Sequence, residues 1–251
     1  MKRVRKAQHE PPELAEYKAR FAQAPAERTW NKFKKAAERR VPVKAQLRND
    51  QRGLCAYCEN ALIPQDESVE HFVPNAAGDG QELEWTNLLL CCKGGEQPLL
   101  EEVADGNARY DATGSKTCGH AKRNSTVAIF NPLHLPHSPR LFKFRSENGE
   151  IVPDEEECAR AGVNVQLAHE TIGVLELKAR RLSEARLEVM NRLLEDLAKA
   201  GTADPFTLER ERELAAIYLP AAGNLPAFFT TLRFTLGAGA EVHLATIGFQ
   251  G

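Results

Sequence analysis

The stretch Leu54-Cys55-Ala56-Tyr57-Cys58-Glu59 contains two cysteines separated by two residues. Two thiolates at this spacing can reach adjacent corners of a tetrahedron around one zinc ion without straining the chain. Such a site needs two further thiolates, and Cys92 and Cys118 can supply them. Cys91 is the alternative to Cys92, because neighbouring residues of an extended segment point in different directions and only one can face the ion. The spacing therefore predicts a structural Zn²⁺ site that ties together loops with little apolar surface to bury.

The composition describes a chain that can form a folded core. With 251 residues, of which 42% are hydrophobic, it can bury one sizeable core, or a core with a small metal-bound lobe. No apolar run approaches the roughly 18 to 20 residues that cross a membrane, and the basic N-terminus lacks the apolar stretch of a signal peptide. We therefore expect a cytoplasmic protein without membrane contact. Cysteines in a reducing compartment are more often metal ligands or core residues than disulfides.

Charge is distributed unevenly along the chain, although the net charge is only -2. Residues 1–52 contain 15 Lys and Arg against 6 Asp and Glu, a balance of +9, so the remainder carries -11. A basic segment on an acidic body suits a phosphate-binding face, since Lys and Arg release counterions from a nucleic-acid backbone. A pair of solvated amphipathic helices explains the same charge run, and for charge alone it is the commoner explanation.

Hydrophobic periodicity divides the chain into helical parts and one loop-rich part. Apolar residues recur at helical spacing from residue 11 to about 52, punctuated by Pro25 and Pro42, which predicts three short helices. Between residues 54 and 124 the periodicity is lost and glycines are frequent, which favours loops, short strands and metal ligands. The polar, glycine-rich segment 93–117 is too long for an ordinary connection, so we interpret it as a lid or a partly disordered insertion.

Helical spacing returns in the C-terminal half. It predicts one helix from residue 165 to about 200, or two helices with a break near Gly173. A further helix is predicted from 207 to 219, where Pro220 stops it.

Two other segments of this half carry local signals. Asn148-Gly149 can adopt the positive φ values of a type I′ turn, so residues 141–152 are predicted to form a β-hairpin. The segment 228–234 is apolar enough to be either a core strand or a docking surface for a partner.

Between the cysteines stand Glu70-His71, Asn87 and His120, and in this order the chain resembles the HNH endonucleases. The ββα-metal site of that family is named for a His, an Asn and a third His or Asn. Its first strand ends in an acidic residue followed by His, and a Cys follows the Asn by about five positions, as Cys92 follows Asn87. The resemblance implies a helix after the fourth Cys with two ligands one turn apart, here His120 and Asn124, although the commoner pattern places a ligand directly after that Cys.

Further pieces of the same kind lie across most of the chain: Thr29-Trp30, residues 51–59, 70–74 and 85–89, Met1-Lys2-Arg3-Val4, and residues 172–177. These pieces look like the PtuB type of HNH protein, which is associated with Septu and retron systems. Members of that group serve as the nuclease half of an antiphage system and are paired with a PtuA-like ATPase related to ABC and SMC heads. The resemblance therefore implies a DNA or RNA substrate, an ATPase partner of this kind, and in the retron case a reverse transcriptase with its nucleic acid.

The residue types suit phosphodiester hydrolysis. His71 can take a proton from water near neutral pH, since an imidazole titrates there, and it is the candidate general base. Glu70, His120 and Asn124 can hold one divalent ion, and this ligand set is open to Mg²⁺, Mn²⁺ or a transition metal. The ion would neutralise charge on the scissile phosphate and on the departing 3′ oxygen. Asn87 would pin the loop and orient His71. Taken alone, each residue has an ordinary explanation as a turn, cap or surface residue, so the prediction depends on their joint order.

The sequence thus predicts an α+β protein in which a zinc-stabilised ββα-metal lobe is embedded in a mainly helical chain. We assign residues 1–52 to a basic N-terminal helical arm, 53–130 to the HNH nuclease lobe with its zinc knuckle, and 131–251 to a mainly helical, partner-binding region. The expected activity is metal-dependent hydrolysis of nucleic-acid phosphodiester bonds within an antiphage defence system. The alternative is a zinc ribbon that binds nucleic acid, or an adaptor subunit of an ATPase complex, without catalysis.

Overall fold

The structure, a computed structural model, describes residues 1–75, 80–96, 116–199 and 207–251. Most of segment 93–117, which the sequence assigns to a lid or an insertion, lies outside these ranges. Within them, the chain combines helices with two small antiparallel sheets. In chain order the elements are α1 (Pro12–Arg20), α2 (Trp30–Phe33), α3 (Ala37–Asp50), β1 (Ser68–His71), β2 (Leu88–Cys91), α4 (Cys118–Lys122), β3 (Phe142–Phe144), β4 (Ile151–Pro153), α5 (Glu155–Arg160), α6 (Val165–Val174), α7 (Arg180–Ala198), α8 (Leu208–Tyr218), α9 (Phe229–Thr235) and α10 (Gly237–Thr246).

The three helices expected before residue 52 are confirmed. Helix α2 begins after Thr29, whose hydroxyl accepts a hydrogen bond from the Lys32 N–H and so satisfies one of the free donors at the helix start. Pro42 does not mark a boundary, because it lies inside α3. Each helix turns apolar residues toward the core at helical spacing, and these residues are Leu14, Tyr17, Trp30, Phe33, Val43 and Leu47.

Strands β1 and β2 are antiparallel, with Glu70 opposite Leu89 and His71 opposite Leu88. All four residues of β2 are buried. The fully buried Gln51 amide covers the other edge of this strand: its Oε1 accepts from the Leu90 N–H at 2.7 Å, and its Nε2 donates to the Leu90 carbonyl at 2.7 Å. The Ala56 N–H also donates to the Leu90 carbonyl at 3.1 Å, so the buried Leu90 N–H is the group that would be unpaired without Gln51.

The sequence predicts one or two helices between residues 165 and 200, and the structure has two. Helix α6 ends at Val174 and α7 begins at Arg180, so the break near Gly173 is confirmed. Helix α8 begins after Thr207, whose hydroxyl accepts from the Arg210 N–H, and it ends two residues before Pro220.

The hairpin between β3 and β4 is present, but the expected type I′ turn is wrong. Phe144 pairs with Ile151, so the connection runs from residue 145 to residue 150 rather than through two central residues. Gly149 has a φ of +69°, and its N–H donates to the Arg145 carbonyl at 2.8 Å. Asn148 instead accepts from the Glu150 N–H with its side-chain oxygen, which is the local bond that favours Asn in turns.

The segment 228–234 is neither a strand nor an available docking surface. It forms helix α9, and Phe229 is fully buried against Phe249. The buried Glu59 carboxylate accepts from the Thr230 N–H at 2.8 Å, which satisfies a donor in the first turn of α9 that has no partner within the helix. The acceptor for this first-turn donor thus comes from a distant part of the chain.

The buried hydrophobic residues form two clusters. The larger one takes side chains from all three sequence segments, among them Leu14, Tyr57 and Leu182. The second joins Leu54 to the C-terminal helices, and Val189 packs against both clusters. In the part of the chain that the structure describes, no helix is both long enough and apolar enough to traverse a lipid bilayer.

Candidate functional site

Four buried cysteine side chains converge on one point. The Sγ atoms of Cys55 and Cys118 lie 3.8 Å apart, those of Cys58 and Cys92 3.7 Å apart, and those of Cys92 and Cys118 3.7 Å apart. A tetrahedral zinc ion with Zn–S bonds of about 2.3 Å requires sulfur–sulfur separations of about 3.8 Å. The four sulfurs therefore have the spacing of a structural zinc-thiolate site.

Cys92, and not Cys91, belongs to this group. Cys91 is the last residue of β2 and is fully buried outside the group. The Cys92 N–H donates to the Cys55 Sγ at 3.3 Å. Burial raises the pKa of the Cys118 thiol well above its ordinary value, so a set of thiolates at this place needs a cation to neutralise it.

Glu70, near the end of β1, faces helix α4. Lys122 donates to Glu70 Oε1 at 2.7 Å and to the His71 carbonyl at 2.9 Å. The Tyr57 hydroxyl, from the turn between Cys55 and Cys58, lies 3.5 Å from the same Glu70 oxygen. Burial raises the pKa of the Glu70 carboxyl, against the opposing effect of the Lys122 ammonium. Glu70 thus contacts both the zinc knuckle and α4.

His71 has a defined hydrogen-bond partner on one side of its ring. Its Nε2 lies 3.0 Å from the Glu82 carbonyl oxygen. A carbonyl oxygen only accepts, so Nε2 carries the proton, and in the neutral ring Nδ1 keeps its lone pair. The Trp30 ring packs edge-on to the imidazole, with centroids 5.5 Å apart. Burial lowers the pKa of His71 from 6.5, so the ring is neutral at pH 7 and can accept a proton.

Asn87 fastens the connection that follows β1. Its Oδ1 accepts from the Val73 N–H at 2.7 Å, and its Nδ2 donates to the carbonyls of Val73 and Gln81, both at 3.1 Å. Its own carbonyl accepts from the Phe72 N–H at 2.9 Å. The side chain is buried, and it ties Val73, two residues after His71, to Gln81, the residue before Glu82.

His120 and Asn124 do not share a helical face, contrary to the expectation from sequence. Helix α4 ends at Lys122, because Arg123 adopts a φ of +50° that leaves the helix, and Asn124 is exposed beyond it. His120 remains on α4, where its Nε2 lies 3.4 Å from the Ser68 hydroxyl and its Nδ1 lies 2.6 Å from Glu96. Ser68 and Glu70 are two residues apart on β1 and therefore point to the same side.

Two of the three predicted ligands of a divalent ion, Glu70 and His120, lie at the contact between β1 and α4. Gly119, the residue before His120, lies against the Glu70 carboxylate, and His120 itself reaches Ser68, two residues before Glu70 on β1. Among the residues that the structure describes, the four cysteines are the one group of three or more His, Cys, Asp or Glu side chains close enough to share an ion. A carboxylate and an imidazole are both residue types that can ligate a divalent ion. Asn124, the third predicted ligand, is exposed beyond the end of α4.

The structure also reveals contacts that the sequence did not predict. Lys122 follows Gly119 by three residues and shares a face of α4 with it, and both residues meet the Glu70 carboxylate, a contact that no sequence pattern indicates. Glu82 and Trp30 are distant in sequence from His71, and no local pattern points to them. A cleft of about 580 Å³ borders the site and is lined by Lys116, His120, Ala121, Arg123, Ser125, Gly173, Val174 and Glu176.

Comparison with known proteins identifies a relative. No protein-family model matches the chain. The chain is 31% identical over 181 residues to an Escherichia coli protein named "Retron Ec83 putative HNH endonuclease". The aligned region covers 64% of this chain and 70% of that protein.

Proposed function

Since the chain belongs to the HNH endonuclease family, we propose that it hydrolyses phosphodiester bonds of DNA or RNA at a site built from Glu70, His71, Asn87 and His120. The observation that carries the proposal is the position of Glu70-His71 at the end of β1, opposite the strand that follows Asn87 and against helix α4. Two antiparallel strands and a helix in this order are what a ββα-metal lobe requires.

His71 is the general base of the proposed reaction. Its Nδ1 takes a proton from the attacking water, while Nε2–H stays bonded to the Glu82 carbonyl and stabilises the imidazolium that forms. Asn87 holds the connection after β1, so the imidazole keeps its position relative to Glu70. The lowered pKa of His71 keeps the base unprotonated at neutral pH.

Glu70 and His120 would hold a Mg²⁺ or Mn²⁺ ion. When bound, such an ion neutralises charge that develops on the phosphate and on the departing 3′ oxygen. Lys122 orients the Glu70 carboxylate through an ion pair and binds the His71 carbonyl, so it fixes the two residues relative to each other. The basic side chains of residues 1–52 are a proposed contact for the phosphate backbone.

A Zn²⁺ ion on Cys55, Cys58, Cys92 and Cys118 has a structural role in this proposal. It joins the turn that carries Tyr57 to the first residue of α4, and both elements contact Glu70. The zinc ion therefore has no direct part in the reaction, but its loss would disturb the catalytic residues.

We also propose a biological setting of the PtuB type. The name of the E. coli relative assigns that protein to a retron, and this assignment supports a role in antiphage defence. In that setting a PtuA-like ATPase of the ABC and SMC type is the proposed partner, together with a retron reverse transcriptase and its nucleic acid. Co-purification of the natural gene neighbours with the tagged chain tests this assignment.

Replacement of His71 tests the activity directly. We expect His71→Ala to lower cleavage of plasmid DNA or transfer RNA by at least about 100-fold in Mg²⁺ or Mn²⁺, since a general base contributes on this scale. The matched control is His134→Ala, an exposed histidine away from the site, which should cleave like the wild type. Both variants should keep their zinc content and circular dichroism spectrum. Unchanged cleavage by pure His71→Ala protein would remove His71 from the mechanism.

A second candidate function is a zinc ribbon or adaptor subunit that binds without cutting. The observation in its favour is the Lys122 ammonium on Glu70, because a cation already neutralises the proposed metal ligand. Wild-type protein that binds nucleic acid or an ATPase but cleaves no substrate with either ion would support this alternative.

A further inference from the structure

The proposed general base is linked to helix α2 of the basic N-terminal segment through one residue, Glu82. The Glu82 carbonyl oxygen accepts from His71 Nε2 at 3.0 Å. The Glu82 carboxylate accepts from the backbone N–H of Trp30 at 2.8 Å. Both contacts are made by the same partly buried residue, so the position of its carbonyl depends on the position of its side chain.

The donor on α2 is one that a helix cannot satisfy internally. Trp30 is the first residue of α2, and the N–H groups of a first turn have no carbonyl partner within the helix. A carboxylate is the favoured acceptor at this place, because it is also attracted by the positive end of the helix. The Trp30 ring meets the His71 ring edge-on, at an interplanar angle of 74°. Helix α2 therefore contacts His71 directly and also through Glu82.

We infer that Glu82 is a positioning residue that fixes the tautomer of His71 by holding its own carbonyl oxygen against Nε2. The inference rests on the proposed function of His71 as general base. A neutral imidazole has one N–H, and the ring nitrogen that faces a carbonyl must carry it. The lone pair is then on Nδ1, where the proposed reaction needs it.

Glu82 is held by its own hydrogen bond to the Trp30 N–H and not by Asn87. Asn87 holds the Gln81 carbonyl, one residue before Glu82, and it makes no hydrogen bond to Glu82 itself among the described contacts. Loss of the Glu82 carboxylate should therefore leave the connection attached at Gln81 but allow the next carbonyl to move away from His71.

Three variants distinguish a positioning role of Glu82 from a general contribution to the stability of the protein. Glu82→Ala removes the acceptor for the Trp30 N–H, and we expect kcat to fall by about 10- to 100-fold with KM unchanged, as for other residues that orient a functional histidine. Glu82→Gln keeps a side-chain oxygen that can accept the same bond, and it should restore most of the rate. Glu84→Ala is the matched control, because Glu84 is an exposed glutamate of the same segment. If Glu82→Ala does not fold, Glu82→Asp, which is one methylene shorter, replaces it.

A spectroscopic measurement gives a readout that does not depend on cleavage. Imidazole ¹⁵N shifts of labelled protein above the His71 pKa, assigned by comparison with His71→Ala, should show the Nε2–H tautomer in the wild type and in Glu82→Gln. Glu82→Ala should show a mixture of tautomers. An unchanged tautomer in Glu82→Ala overturns the inference, whatever happens to the rate. Undiminished cleavage by His71→Ala would instead refute the proposed function, and the tautomer would still report on Glu82.

Discussion

Gly119 is required by the close approach of α4 to β1, which is a constraint on a single residue. A Cβ atom at this position would lie 2.3 Å from Glu70 Oε2 and 2.8 Å from its Cδ, closer than real contacts allow. We expect Gly119→Ala to displace the Glu70 carboxylate and to lower the cleavage rate by at least about tenfold, since a small misplacement of a catalytic group is costly. The measurement is single-turnover cleavage in Mg²⁺ or Mn²⁺.

Gly162 provides the control for this prediction. It lies at an exposed position after helix α5, and a Cβ there would meet nothing within 4 Å. Gly162→Ala should cleave at the wild-type rate and be less stable by about 1 kcal/mol, because the φ of +65° is unfavourable for alanine. Equal rates for the two alanine variants would contradict the proposed role of Glu70.

The environment of His71 predicts a specific pH dependence. Burial lowers its pKa from 6.5, so protonation of the base, and the loss of activity that follows, should occur only as the pH falls below 6.5. We expect the acid limb of kcat/KM to lie below pH 6.5. Trp30→Ala uncovers one side of the ring and should move that limb upward toward 6.5. A limb at or above pH 6.5 in the wild type contradicts the proposed environment.

At the scale of elements, the sequence identifies features that depend on local chemistry. The helices before residue 52 follow from apolar spacing, and the zinc knuckle follows from Cys55 and Cys58. The sequence does not reveal where α4 ends, because Arg123 has no residue-specific preference for a positive φ. Nor does it reveal that 228–234 is helical, because the Glu59 carboxylate that caps α9 is distant in sequence. Local patterns thus predict elements, while their ends and some of their types involve contacts between distant residues.

The edge of β2 offers a test at this scale, because the buried Leu90 N–H depends on the Gln51 side chain for its partner. Gln51→Leu has a similar volume but leaves the Leu90 N–H without its partner and removes the donor to the Leu90 and Leu54 carbonyls. We expect the free energy of unfolding to fall by about 3 kcal/mol, since a buried group left unsatisfied costs about 1 to 3 kcal/mol. Gln65→Leu, at an exposed position, should change it by less than about 0.5 kcal/mol. Chemical denaturation monitored by circular dichroism distinguishes the two.

At the scale of the whole molecule, the zinc knuckle and the C-terminal helices are parts of one packed structure. Glu59 follows Cys58 directly, and its buried carboxylate accepts from both the N–H and the hydroxyl of Thr230. Phe228 donates its N–H to the Glu59 carbonyl at 2.8 Å. Removal of residues 221–251 would therefore expose the core beside the knuckle.

A milder change measures this connection. Thr230→Val keeps the shape of the side chain but removes the hydroxyl that donates to Glu59 Oε1 at 2.5 Å, so a buried carboxylate oxygen loses a partner. We expect a loss of about 1 to 3 kcal/mol in the free energy of unfolding, together with faster release of zinc to a chelator, because Glu59 is adjacent to a zinc ligand. The control, Thr126→Val, alters an exposed threonine and should change neither quantity. A destabilised Thr230→Val protein that releases zinc at the wild-type rate would show that the knuckle holds its ion independently of α9.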